Sequence, residues 1–205
     1  MSKLSARLGL WAAVLSAATF VVYMLCFAGI AVTSPLFVWT NLQDYVAYTQ
    51  ANPQGFKIAA QLAMLLFGPL FVVLLSAIHD YTRPELRILT RAALCFGTGF
   101  AVLTGMHYFV QVSVVRDAIA QGVADGLGQF VQANPLSALL AMNMLGWTLF
   151  LGLASLCVVP VFAGRGVERT LRYAFLANGV FCLLGGVGFI IRSVALIFVS
   201  ITFGM

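Results

Sequence analysis

The chain predicts an all-α membrane protein, a polytopic helical bundle of about five transmembrane helices, and three features carry that prediction. Of its 205 residues, 62% are hydrophobic and 8% charged, where ordinary soluble domains are about 25% charged. Apolar runs long enough to cross a hydrocarbon core of about 30 Å as helices recur from one end of the chain to the other. The basic residues cluster between those runs instead of along them, which is how topology signals are distributed.

The first run, LGLWAAVLSAATFVVYMLCFAGIAV, follows Lys3 and Arg7 and is placed at residues 8–32. It is far longer than the apolar region of about 7–15 residues in a secretory signal, and no A-x-A site follows, so it reads as a retained span. The other spans are placed at 57–78, 92–115, 136–162 and 173–194. Lys3 and Arg7, then Arg83, Arg87 and Arg91, then Arg165, Arg169 and Arg172 mark alternate connections. By the positive-inside rule the N-terminus and both arginine-rich turns are cytoplasmic, and the two long connections face outward.

Those long connections carry helical patterns of their own. In SPLFVWTNLQDYVAYTQ, the residues Trp39, Leu42, Val46 and Thr49 fall on one helical face, with Ser34 as cap and Pro35 in the first turn. In DAIAQGVADGLGQFVQ, the residues Ile119, Val123, Leu127 and Phe130 do the same, against the helix-weakening Gly122, Gly126 and Gly128. Two outer amphipathic helices are expected.

The letters QANP occur twice, at residues 50–53 and 132–135. Asparagine can accept a bond from an orphan N–H at a helix start, and proline has no N–H to lose in the first turn. Asn52-Pro53 and Asn134-Pro135 are therefore expected to open the second and fourth spans. The same shift of 82 residues lays Arg83 on Arg165, Arg87 on Arg169, Gly97 on Gly179 and Gln61 on Asn143. It suggests a parallel repeat within a single membrane domain: hairpins at 8–78 and 90–162, then a fifth helix and tail at 173–205. From Tyr173 onward the last run has about 33 residues, close to 50 Å as one helix and longer than the bilayer core. Either the helix bends near LLGGVG, or the tail after Arg192 projects outward or turns back along the interface.

Polar side chains inside spans are costly in hydrocarbon and so are informative. They are Gln61, His107, Gln111, Asn143, Asn178 and Arg192; all but Asn178 fall in the predicted outer half. His107 and Gln111 lie four apart on one face, and Gly97, Ala101 and Gly105 form a small-residue ladder nearby that suits close helix contact. The expectation is an outward-opening ligand pocket lined by His107, Gln111, Asn143 and Gln61, with Arg192 near its mouth. The alternative is that these groups bond one another and nearby backbone, with Arg192 snorkelling to the interface or pairing with Asp44 or Asp117.

Several classes are disfavoured. Cys26, Cys95, Cys157 and Cys182 lie in apolar runs without C-x-x-C spacing and read as small hydrophobes. His79 and His107 fall at opposite membrane faces, against a bis-histidine haem, and no carboxylate lies inside a span to complete a metal site. No cofactor is expected. No Ser-His-Asp order is visible, so an enzyme is less favoured, a lipid-modifying enzyme being the alternative. The net charge of +5 is topological, and no nucleic-acid partner is expected.

At MHYFVQVSVVRDAIAQG, ANPLSALLAMNMLGW and RTLRYAFLANGV the chain resembles a group of small bacterial multispan integral membrane proteins of unknown function. The resemblance covers roughly residues 90–185, implies a bacterial plasma-membrane location and draws attention to Gln111, Arg116 and Asn178. It implies no activity. The leading functional expectation is a protein that binds or passes a small lipophilic or weakly polar ligand, with membrane lipids around it. The competing expectation is a structural or assembly subunit, whose ladders (Gly9, Ala13, Ala17; Gly97, Ala101, Gly105) contact a membrane protein partner.

Overall fold

The computed structural model describes residues 2–204, with side chains as far as Ile201. It is an all-α helical bundle, 82% helical with no strand among the described residues. In chain order the helices are α1 (Lys3–Thr33), α2 (Leu42–Ala51), α3 (Gly55–Tyr81), α4 (Arg87–Val110), α5 (Arg116–Ala120), α6 (Ala138–Leu145), α7 (Leu151–Val158), α8 (Val167–Ile190) and α9 (Val194–Gly204). A π-turn over Gln111–Val115 joins α4 to α5, and another over Gly146–Phe150 joins α6 to α7. Among the described residues, five continuous helical segments are thus long and apolar enough to cross a membrane: Lys3–Thr33, Gly55–Tyr81, Pro84–Ala120, Ala138–Val161 and Val167–Ile190.

The apolar side chains of these segments point outward as well as inward. On α1, Trp11 and Leu25 are 61% and 67% exposed. In water such a surface would demand a partner; for a membrane helix the lipid is the solvent. In lipid, burying apolar area between helices gains little, so close packing and interhelical hydrogen bonds must hold the helices together.

The chain divides into two compact units. The first comprises the chain up to Val14, Gly68–Leu103 and the chain from Met144 onward. Small residues set its helix packing. A Cβ on Gly97 would collide with Leu75, and one on Gly179 would lie 2.6 Å from Leu156, so each of these two glycines, 82 residues apart, admits a leucine of the preceding span. Gly68 sits so close to Ala101 that a Cβ there would be 3.0 Å from the Ala101 main chain, and one on Gly9 would be 2.6 Å from the Ala77 Cβ. Phe100, fully buried, stands edge-on to Phe71 and Trp147 with ring centroids 5.8 and 4.9 Å away. Polar links join the helices as well: Ser155 Oγ donates to Asn178 Oδ1 at 2.6 Å, Tyr81 Oη to Glu168 Oε1 at 2.6 Å, and the Ser5 hydroxyl to Asp80.

In the same unit the tail turns back. α8 ends in a Schellman motif: Ser193 N–H donates to Gly188 O at 2.8 Å and Arg192 N–H to Phe189 O at 3.3 Å, with Arg192 in the left-handed conformation at φ 57°. Ser193 then caps α9, its Oγ accepting from Leu196 N–H at 3.5 Å. α9 packs along α8, with Ser200 over Gly185 and Leu196 over Gly188. Of the two outcomes expected for the last run, the turn-back prevails, but as a helix against α8. Arg192 is consequently the exposed residue of a turn between two helices.

The second unit comprises Leu15–Phe67 and Thr104–Asn143. α2 forms, but the predicted cap at Ser34 does not: residues 34–41 are non-helical. Asn41 is the cap instead, its Oδ1 accepting from Asp44 N–H at 2.9 Å while its Nδ2 donates to Asp44 Oδ2 at 2.8 Å. The Asp44 carboxylate thus holds the Asn41 side chain in its capping position, and Asp44 in the first turn suits the positive end of the helix. The second expected amphipathic helix reduces to α5 and a single 3-10 turn, Leu127–Gln129. Its glycines are the cause, since Gly122 and Gly126 adopt φ of 71° and 74°.

The two Asn-Pro pairs also act differently from expectation. Asn52 is the C-cap of α2, its Nδ2 donating to Tyr48 O at 2.8 Å, and α3 starts three residues later at Gly55. Asn134 makes an Asx turn, accepting from Leu136 N–H at 2.9 Å, and donates to Gly128 O at 2.7 Å. Ser137 caps α6, with Oγ accepting from Leu140 N–H at 3.2 Å.

Candidate functional site

The second unit holds the polar cluster. Gln61, on α3, is 5% exposed and its Nε2 donates to Gln132 Oε1 at 3.1 Å. Gln111, at the start of the first π-turn and 3% exposed, donates to Phe130 O at 2.5 Å and accepts from Gln132 N–H at 3.4 Å. A π-turn inserts one residue into a helix and re-aims the side chains there, which is why such turns gather at functional positions. Together these bonds tie the segment before α6 to α3 and α4.

His107 and Asn143 form a second group. His107 is 0% exposed, and its Nδ1 lies 3.3 Å from Leu139 O. That contact requires a proton on Nδ1, which in the neutral ring leaves Nε2 an acceptor. Nε2 has no hydrogen-bond partner, although the Gln132 side chain approaches the ring. Asn143, one turn beyond Leu139 on the same face of α6, is 5% exposed and its Oδ1 also lacks a partner. Ser16 Oγ and Thr49 Oγ1 complete the set of buried side-chain polar atoms left without a partner among the described residues, and all four belong to this unit. Buried polar side-chain atoms are usually partnered, and the exceptions among the described residues gather in this unit.

Two cavities open in the unit. One, of about 410 Å³, has aromatic walls from Tyr23, Phe27, Phe37, Tyr48 and Tyr108 and carries Lys57, Gln61 and Gln132 as polar groups. The other, of about 230 Å³, lies between α2, the start of α3 and the α4–α5 junction, where Thr49, Lys57, Gln61, Gln111 and Arg116 line it. Lys57 and Gln61 belong to both walls. Lys57 Nζ donates to Tyr45 Oη at 2.6 Å and has no carboxylate within ion-pair distance among the described residues.

Of the residues expected to form a pocket, Gln61 and Gln111 are brought together and line a cavity. His107 contacts α6, the helix that carries Asn143, but neither residue lines either of these two cavities. Arg192 belongs to the α8–α9 turn of the first unit and lines neither cavity. Gln132 and Lys57 are the residues that sequence reasoning missed. For Gln132 the signal was visible: the repeated QANP begins with glutamine, and capping accounts only for the letters after it. For Lys57 it was the position of a single cation at the start of an apolar run.

No protein-family model, curated protein or solved structure matches the chain.

Proposed function

We propose that this chain is a multispan protein of a bacterial plasma membrane, N-terminus cytoplasmic, that binds or passes a small lipophilic or weakly polar molecule in its outward-facing portion. The observation that carries the reading is the aromatic cavity of about 410 Å³, a volume usual for small-ligand sites, with the amides of Gln61 and Gln132 at its wall. An apolar wall with a few fixed polar groups is what orients a small molecule. The orientation rests on the arginine clusters, which fall at the connections opposite those that carry α2 and residues 121–137.

The test is native mass spectrometry of the protein released from mild detergent, beside Gln61→Leu. A defined extra mass of a few hundred daltons, retained by the wild type and lost from the variant, supports the reading. A bare chain in both forms, or a protein partner retained equally by both, defeats it.

A second reading, a subunit that docks on another membrane protein, is favoured by one feature. Ala13 and Ala17 of the α1 ladder are exposed, and only 11% of the most apolar stretch of α1 is buried within the chain. By contrast, Gly97 and Ala101 are engaged by α3. A protein partner lost on Ala13→Leu with Ala17→Leu would establish this second reading.

A further inference from the structure

We propose that the ligand's polar group is an oxyanion, a carboxylate or a phosphate, held by Lys57 and Arg116 in the smaller cavity with its apolar part on the aromatic side of Lys57. This rests on the proposed ligand-binding reading and specifies the chemistry of its site.

The donors decide the matter. Four glutamines line the smaller cavity, and they are held by bonds to other acceptors: Gln50 to Ile119 O at 3.2 Å, Gln54 to Thr49 O at 3.0 Å and Asn52 O at 2.8 Å, Gln61 to Gln132 Oε1 at 3.1 Å and Gln111 to Phe130 O at 2.5 Å, which leaves at most one neutral N–H on each. The charged donors at the wall are Lys57 and Arg116, and Thr49 adds a hydroxyl. Lys57 has three N–H bonds, of which Tyr45 Oη takes one. Half-buried, with its Nζ 5.0 Å from the Tyr45 ring centroid but no carboxylate of the described residues beside it, Lys57 presents a positive charge without a counter-ion at the wall of both cavities.

Arg116 pairs with its neighbour Asp117 at 3.0 Å, and both side chains are more than half exposed. An exposed pair of that kind is weak and can share its guanidinium with an incoming anion. Thr49 lines the cavity with a hydroxyl that is buried and unpartnered. The cavity also receives the first residues of α3, a helix of 27 residues whose N-terminal end favours negative charge. Ile58, Val115 and Ile119 supply apolar surface to the same cavity, and the aromatic cavity adjoins through Lys57 and Gln61. A charged head beside an apolar body matches this division, and a neutral ligand would leave the lysine without a counter-ion.

The experiment compares three probes on the full chain in neutral detergent: laurate, dodecanol and inorganic phosphate, each titrated against wild type, Lys57→Gln, Lys57→Arg and Arg116→Gln. Binding is read from thermal stabilisation and from native mass spectrometry. Laurate is expected to bind the wild type at least about tenfold more tightly than dodecanol, the worth of one charge-assisted hydrogen bond. Lys57→Gln should erase that preference, Lys57→Arg should keep it, and Arg116→Gln should reduce it. If Lys57→Gln does not fold, the wild-type preference and the Arg116→Gln titration decide by themselves. Saturable binding of phosphate alone that depends on Lys57 supports the oxyanion site and assigns it to a free anion, against the lipophilic reading. Equal binding of laurate and dodecanol overturns the oxyanion inference while leaving the ligand-binding reading standing. No binding of any probe overturns both.

Discussion

Replacing Gln111 by leucine keeps the side-chain volume roughly constant and removes two hydrogen bonds. Phe130 O loses a donor at 2.5 Å, and Gln132 N–H loses an acceptor at 3.4 Å. Side-chain hydrogen bonds measured within membrane bundles average about 0.6 kcal/mol, and a buried group left unsatisfied costs about 1–3 kcal/mol. The short bond belongs near the upper figure, because the segment that carries Phe130 is anchored by Leu127 and Val131, 5% and 0% exposed, and has little freedom to turn its carbonyl to water. The second bond is long and belongs near the lower one. The sum is about 2–4 kcal/mol, which for a chain of this size lowers the melting temperature by about 4–16 °C. Tryptophan fluorescence during heating in mild detergent reads it, since Trp39 packs on the cluster of Tyr45, Ile119 and Leu127 that the segment completes. Limited proteolysis should cut residues 121–137 faster in the variant. A melting temperature within about 1 °C of wild type, with unchanged cleavage, would refute the idea that Gln111 tethers this segment.

Other outcomes follow from single contacts. Arg192 holds φ 57°, a conformation that costs a side-chain-bearing residue about 1 kcal/mol or more, so Arg192→Gly should raise thermal stability slightly. Gly188→Ala would put a Cβ 2.7 Å from Leu196 Cβ and 3.1 Å from Ile197 N; backbone cannot yield as a side chain does, so α9 should separate from α8, at about 1–3 kcal/mol, and Ser200→Cys should gain reactivity toward a maleimide in a background without the native cysteines. Ser155→Ala removes one bond to Asn178 and should cost about 0.6 kcal/mol by thermal melting, within the range of interhelical bonds in membranes.

The sequence by itself determined the number of spans and the middle of each; the ends of the second and fourth fall within three residues of the expected ones, while the third and fifth begin earlier, at Pro84 and Val167. The reason is that hydrocarbon thickness sets how many consecutive apolar residues a helix needs, and that count is a one-dimensional property. α2 was likewise legible from its face of Leu42, Val46 and Thr49, although Trp39, placed on the same face, lies before the helix starts, and the failure of its successor followed from glycines that could be read off directly. Gln61, His107, Gln111 and Asn143 stood out because polar side chains are rare in such runs.

Tertiary structure alone decided how those residues are used. Whether Asn52 closes α2 or opens α3 depends on where each helix finds its packing partners, and both choices satisfy the same local chemistry. The two π-turns that begin at Gln111 and Gly146 carry no local signature, since one inserted residue alters aim without altering composition. That α9 returns along α8 depends on Gly185 and Gly188 meeting Ser200 and Leu196 across a turn. The bonds that join Gln61, Gln132 and Gln111 link residues up to 71 positions apart. Periodicity reports which face of a helix is apolar; it holds no information about which distant side chain will complete a hydrogen bond, and the two cavities beside Lys57 are formed by such distant pairings.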